Sequence, residues 1–178
     1  MDDYPEPLCR LAEPFLAGEA WSCFLSGTVG SWKTSFACAL ARAWTARHPP
    51  RPTPVKLGWN SLDYGLLPSE YANASPFIAP DVFTANARNM DASKWIMRAW
   101  REMPIAVFDD LGAFRNTPHL VETLVLILGA RYNANRATIA TSNCPLSEIA
   151  EFIDARIASR FQDGILIDTG KVDRRARL

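Results

Sequence analysis

Leu25-Ser26-Gly27-Thr28-Val29-Gly30-Ser31-Trp32-Lys33-Thr34 is the stretch on which the reading of this chain turns. Just before it, Trp21-Ser22-Cys23-Phe24-Leu25 is short and mostly apolar, which predicts a buried strand ending in Ser26-Gly27. Just after it, Phe36, Ala37, Leu40, Ala41 and Trp44 recur on one face and predict a helix from Thr34 to Ala46. The prolines of the stretch from His48 to Pro54 end that helix, because proline cannot continue it. A tight loop between strand and helix turns several backbone N–H groups inward at a helix N-terminus, where the dipole favours an anion. Gly27–Thr34 follows the pattern G-x-x-x-x-G-K-[ST] except at one position, where Trp32 replaces glycine. Gly27, Thr28, Val29, Gly30, Ser31 and Trp32 are thus candidate phosphate contacts. Lys33 would reach the β- and γ-phosphates of a nucleotide, and the Thr34 hydroxyl would ligate Mg²⁺. A tryptophan here adds bulk and, if its φ is positive, strain of about 1–3 kcal/mol. On its own the octapeptide also fits a plain strand-turn-helix with a chance Gly/Lys/Thr pattern.

A second segment supplies acids. Ile105-Ala106-Val107-Phe108 is a continuous apolar run closed by Asp109-Asp110, the form of a central parallel strand with carboxylates at its C-terminal edge. Asp109 would hold Mg²⁺, and Asp110 would orient or deprotonate an attacking water; an ordinary acidic turn has the same composition. A third strand, Ala137–Thr141, ends in Ser142-Asn143. An Asn at such an end can bond a γ-phosphate or the attacking water, although Asn also favours turns for its own reasons. Lys/Thr, Asp/Asp and Asn at three successive strand ends are harder to reach by chance than any one alone.

The remaining chain reads as alternating strands and helices. Val55–Trp59 and Val82–Ala85 are candidate strands, with loop or short helix around Pro68–Pro80. Asp91-Ala92-Ser93 caps a helix running to Arg101 or Glu102. Leu120–Asn133 and Ser147–Phe161 are helical, and Ile165–Asp168 is a last strand before a basic tail. This order predicts an α/β fold with a parallel sheet flanked by helices. Residues 1–20 form an acidic N-terminal segment with an amphipathic stretch (Leu8, Leu11, Ala12, Phe15, Leu16), and 21–178 form the core.

With 178 residues, 48% hydrophobic, the chain suits one domain and is too apolar for a disordered one. Nineteen basic and nineteen acidic residues give zero net charge, so an anionic partner must be met by local patches. The longest apolar runs are too short to cross a bilayer. The start, Met1-Asp2-Asp3, lacks the positive region of a secretory signal. Cys9, Cys23, Cys38 and Cys144 show no CxxC spacing, and a reduced, cytoplasmic setting is expected.

Taken together, Leu25–Thr34, Val107-Phe108-Asp109-Asp110-Leu111-Gly112, Thr138–Asn143 and Asp154-Ala155-Arg156-Ile157-Ala158-Ser159-Arg160-Phe161 resemble the DnaC/IstB-like AAA+ ATPases, helicase loaders and transposition helper ATPases. The resemblance implies an ATP- and Mg²⁺-dependent P-loop NTPase with an AAA+ core. In such proteins an arginine on the helix after the sensor strand completes a neighbouring subunit's ATP site. Arg160 matches that position, with Arg156 one turn earlier as second candidate, and both also read as a solvated helix face. Arg175 matches an arginine that contacts the nucleotide of its own subunit, and also reads as part of a basic tail. A homo-oligomer with ATP at the subunit interface follows, as does action on DNA or on a DNA-bound partner such as a replicative helicase or a transposase. Trp32 departs from the family's pattern, the family's N-terminal partner-binding domain is not matched, and no lid domain follows the core.

Lys94, Trp95, Arg98, Trp100 and Arg101 share one predicted helix. Basic groups among aromatics can pair phosphates and stack bases of single-stranded DNA, but Trp95 and Trp100 are five apart, so at least one belongs to the core. The tail from Lys171 carries four positive charges and one negative, and with the acidic N-terminus it suits head-to-tail packing. The rival reading is a nucleotide-impaired AAA+ scaffold whose pocket Trp32 has closed. A small-molecule P-loop kinase is disfavoured, because no acceptor-binding lid is evident.

Overall fold

The structure, a computed structural model, describes residues 4–49, 77–88, 94–114 and 116–170. In chain order its elements are α1 (Glu6–Leu16), β1 (Ser22–Ser26), α2 (Lys33–Arg47), β2 (Phe77–Ile78), α3 (Pro80–Arg88), α4 (Lys94–Glu102), β3 (Ile105–Phe108), a 3-10 turn (Leu111–Ala113), α5 (Pro118–Asn133), β4 (Ala137–Ser142), α6 (Leu146–Phe152), α7 (Ala155–Gln162) and β5 (Ile165–Asp168). The five strands form one sheet in the order β2-β3-β4-β1-β5, and every pairing is parallel. The expected α/β architecture is therefore what the chain adopts.

Both faces of the sheet are covered, as parallel strands require, and side-chain alternation splits the apolar residues into two cores. Cys23, Leu25, Ile105, Val107, Ile139 and Ile167 pack with Phe36, Leu40, Phe15 and Leu16 of α2 and α1. Their neighbours Phe24, Ala106, Phe108 and Ala140 pack with Phe83, Trp100, Leu124, Leu128, Ile157 and Phe161 of α3, α4, α5 and α7. The N-terminal amphipathic stretch is thus a helix whose Ala12, Phe15 and Leu16 are fully buried, and its Glu13 pairs with Arg47 of α2.

Three expectations are corrected. Phe77–Ile78, in the stretch around Pro68–Pro80 read as loop or short helix, is the edge strand β2, paired with β3. Val82–Ala85 is not a strand but lies inside α3, where Pro80 opens the helix, Asp81 sits in its first turn, and Phe83 and Ala87 share the buried face. The Ser147–Phe161 stretch is two helices: Asp154 leaves helical geometry at φ −168 and its carboxylate accepts the Arg156 N–H, capping α7. Val55–Trp59, the Asp91-Ala92-Ser93 cap and the tail from Lys171 lie outside the described residues.

The helices and sheet are tied by one fully buried cation. Arg131 of α5 donates to the Thr138 hydroxyl at 2.9 Å and to the carbonyls of Trp100 at 2.7 Å, Met103 at 2.9 Å and Ala137 at 2.6 Å. Burial pushes its pKa down to about 9, still above neutrality, so it remains charged.

Candidate functional site

In a parallel sheet the strand ends at one rim share a crevice, where ligands bind. β1 pairs β4 with Ser26 opposite Ser142, and β3 pairs β4 with Phe108 opposite Ala140. β4 therefore lies between the loop strand and the acidic strand, and it holds their ends level.

The loop from Gly27 to Trp32 joins β1 to α2. Gly27 (φ 148), Gly30 (φ 81) and Trp32 (φ 69) all take positive φ, so Trp32 adopts the left-handed geometry that the glycine of the pattern would supply. Its half-buried indole packs edge-on against Tyr4, with ring centroids 5.7 Å apart, and Tyr4 lies 5.0 Å from Phe36. The ring is thereby anchored on the α1 side of the loop. Lys33 is buried, and its ammonium donates to the Thr28 carbonyl at 2.7 Å. The next residue, Thr34, is exposed and donates from its hydroxyl to Asp109 Oδ1 at 2.9 Å.

Asp109 Oδ1 also accepts the Thr141 hydroxyl at 2.8 Å, and that hydroxyl in turn accepts the Asp110 N–H at 2.8 Å. Asp110 sits at φ 52, ψ 56, a left-handed backbone that Asp tolerates, and its carboxylate accepts the Asn143 side-chain amide at 3.1 Å. Burial, then the adjacent Asp109, raises the Asp110 pKa above the usual carboxylate range, with Lys33 opposing. Ionisation of Asp110 is therefore penalised and its proton affinity increased. A hydroxyl and a carboxylate 2.9 Å apart are hard oxygen donors of the kind Mg²⁺ takes together with substrate phosphates and water; among the described residues no cluster of three or more His, Cys, Asp or Glu is assembled for a metal.

The two candidate arginines of α7 do not join this cluster. Arg156 pairs through Nη2 with Glu122 at 2.9 Å and with Asp154 at 2.9 Å. The Arg160 carbonyl accepts the hydroxyl of Ser22, at the start of β1, so it lies at the rim opposite the loop. Its guanidinium runs along Gly129, where an added Cβ would lie 2.9 Å from Nη2. There it lines a shallow surface cleft with Trp21, Tyr132 and Arg136. Arg175 and the side chains of Lys94 and Trp95 are outside the described residues. Trp100 is core, 6% exposed, and Arg98 pairs with Glu102 on its own helix at 2.9 Å.

Two hydroxyls escaped the sequence reading. Thr141 is 1% exposed in a strand buried along its whole length; a buried hydroxyl requires a partner, and that was the available signal. Thr169 follows β5 and bonds Ser31 of the loop, with no local pattern to announce it.

The parallel sheet and its flanking helices are the fold of P-loop nucleoside-triphosphatase domains of the AAA+ type. Solved structures with this fold include DnaI (TM-score 0.71, 20% identity, 94% of this chain and 89% of that one) and the DnaC helicase loader (TM-score 0.68, 19% identity, 91% and 87%). They also include the replication initiator DnaA, as domain III from Thermotoga maritima (TM-score 0.67, 16% identity, 91% and 60%) and as a complex with AMPPCP and single-stranded DNA (TM-score 0.63, 15% identity, 92% and 45%). The chain thus spans three-fifths or less of these two DnaA chains. No family model and no curated protein sequence matches the chain.

Proposed function

We propose that the chain is an ATP-binding, Mg²⁺-dependent ATPase of the helicase-loader or transposition-helper type, working as a homo-oligomer on DNA or on a DNA-bound partner such as a replicative helicase or transposase. The observation that carries the reading is the Thr34–Asp109 hydrogen bond of 2.9 Å, which joins two motifs 75 residues apart at one rim. The neighbouring fold in DnaA holds AMPPCP and single-stranded DNA, which supports nucleotide and DNA as ligands here.

In this reading the backbone of Gly27–Trp32 cradles the phosphates and the Lys33 ammonium leaves the Thr28 carbonyl to neutralise the β- and γ-oxygens. Thr34 and Asp109 would hold Mg²⁺, and the ion would supply positive charge beside the phosphates. Asp110, its proton affinity raised, takes the proton of the attacking water, and Asn143 orients it. Arg160, on the far rim and without an ion-pairing carboxylate among the described residues, serves a neighbour's site in trans, with Arg156 as support and Arg175 as a contact in cis. Lys94, Trp95 and Arg98 are the proposed single-strand contacts. Among the described residues no helix is long and apolar enough to cross a membrane.

Trp32 favours a rival in which the site is closed to nucleotide and the domain serves as a scaffold. The indole's seat on Tyr4 supports the first reading, because that contact, just ahead of α1, holds the ring while the loop keeps its left-handed turn. ATP hydrolysis by wild type, Lys33→Ala and Trp32→Gly separates the two. Turnover in wild type that Lys33→Ala abolishes supports the ATPase; activity present only in Trp32→Gly supports the scaffold.

A further inference from the structure

We propose that Thr169 is a positioning residue that holds the phosphate loop in its binding shape, an inference that rests on the nucleotide reading above. β1 and β5 are paired as far as Ser26 and Asp168, so the two chains leave the sheet side by side. The Thr169 N–H donates to the Ser26 carbonyl at 2.8 Å, and the Thr169 hydroxyl donates to the same carbonyl at 2.9 Å. That hydroxyl also lies 2.7 Å from Ser31 Oγ. Its own proton is committed to Ser26, so Ser31 is the donor of that pair.

Gly170 continues the strap. Its carbonyl accepts the Thr28 N–H at 3.2 Å and the Thr28 hydroxyl at 3.4 Å, and its N–H is held by Asp168 Oδ1 at 2.8 Å. Thr28 and Ser31 bracket the loop turn, closed by the Ser31 N–H on the Thr28 carbonyl at 3.2 Å. Both ends of that turn are therefore tied to the two residues after β5. The packing leaves no space: a Cβ on Gly27 would overlap the Thr169 hydroxyl and lie 2.7 Å from Ser31 Oγ.

Such a strap answers a need particular to this loop. With Trp32 at φ 69, relaxation to negative φ relieves strain that a glycine would not carry. A relaxed loop no longer converges its N–H groups on a phosphate, and every molecule in that state is lost to binding. The hydroxyl pair raises the population of the convergent shape.

Thr169→Val removes the hydroxyl and keeps the volume; Thr169→Ser keeps the hydroxyl. The full chain is titrated with ATP–Mg²⁺, and amide exchange at Thr28 and Ser31 is followed without nucleotide. Thr169→Val is expected to weaken ATP binding about tenfold, the loss of one or two net hydrogen bonds, and to speed both amides. It should raise KM far more than it lowers kcat, while Thr169→Ser stays within about twofold of wild type. If Thr169→Val fails to fold, Ser31→Ala removes the other end of the pair and must move the same readouts in the same direction. Thr169→Val that binds ATP like wild type, or Thr169→Ser as weak as Thr169→Val, overturns the proposal. A wild-type chain that binds no ATP overturns the nucleotide reading itself, before any variant is compared, and the positioning role falls with it.

Discussion

Trp32 and Asp110 each hold a left-handed backbone that glycine would take more easily, at φ 69 and φ 52, and each is supported differently. For Trp32 the support is the edge contact with Tyr4, worth about 1 kcal/mol against strain of about 1–2 kcal/mol. Trp32→Gly should therefore leave stability within about 1 kcal/mol of wild type by urea denaturation, whereas Trp32→Val, β-branched at positive φ, should be clearly less stable. For Asp110 the supports are the Asn143 amide and the Thr141 hydroxyl. Asp110→Asn keeps the left-handed turn, so it should abolish turnover and leave ATP binding largely intact; equal loss of both would refute the assigned role. The same variant tests the electrostatics. Because the folded-state pKa of Asp110 is raised, its favourable protonated form is fully present below the ordinary carboxylate pKa and is lost as pH rises through the folded value. Without nucleotide, Asp110→Asn should match wild type in thermal stability at acid pH and exceed it at neutral pH. Lys33 and Thr34 were legible as candidates from the Gly27–Thr34 pattern, and Asp109, Asp110 and Asn143 because each follows the end of a strand-like run. Thr141 and Thr169 were not, because their partners are set by strand register, which no single strand's sequence contains.

At the scale of elements, β3 and β5 coincide with their sequence reading because each is a short apolar run bounded by acids and turn residues. α3 was misread because Val82, Phe83 and Thr84 favour strands locally, while the burial of Phe83 and Ala87 one turn apart decides for a helix. The break between α6 and α7 was masked by apolar periodicity that continues across Asp154. Arg131 was invisible for the same reason, a cation inside a helix read as apolar. It is also the strongest stability determinant we identify among the described residues. Arg131→Met removes the partner of the Thr138 hydroxyl and of three carbonyls, with an expected loss of about 3 kcal/mol or more in equilibrium unfolding. Arg131→Lys should recover only part of it, since a point charge cannot span the same fork.

At the scale of the whole molecule, the two sheet rims carry different equipment: Lys33, Thr34 and the acids at one, Arg160 with Trp21 and Tyr132 at the other. A ring or filament that stacks one rim on the next would bring a guanidinium to each triphosphate. Arg160→Ala should then lower hydrolysis by about a thousandfold in the assembled state and leave a dilute monomer unchanged; an equal loss in the monomer would assign Arg160 a structural role. All of this depends on ATP–Mg²⁺ entering a loop that carries tryptophan before its lysine. Calorimetric titration of the full chain tests that most directly. Saturable one-to-one binding that disappears in Lys33→Ala is the predicted result, and heat of binding in Trp32→Gly but none in wild type would contradict it.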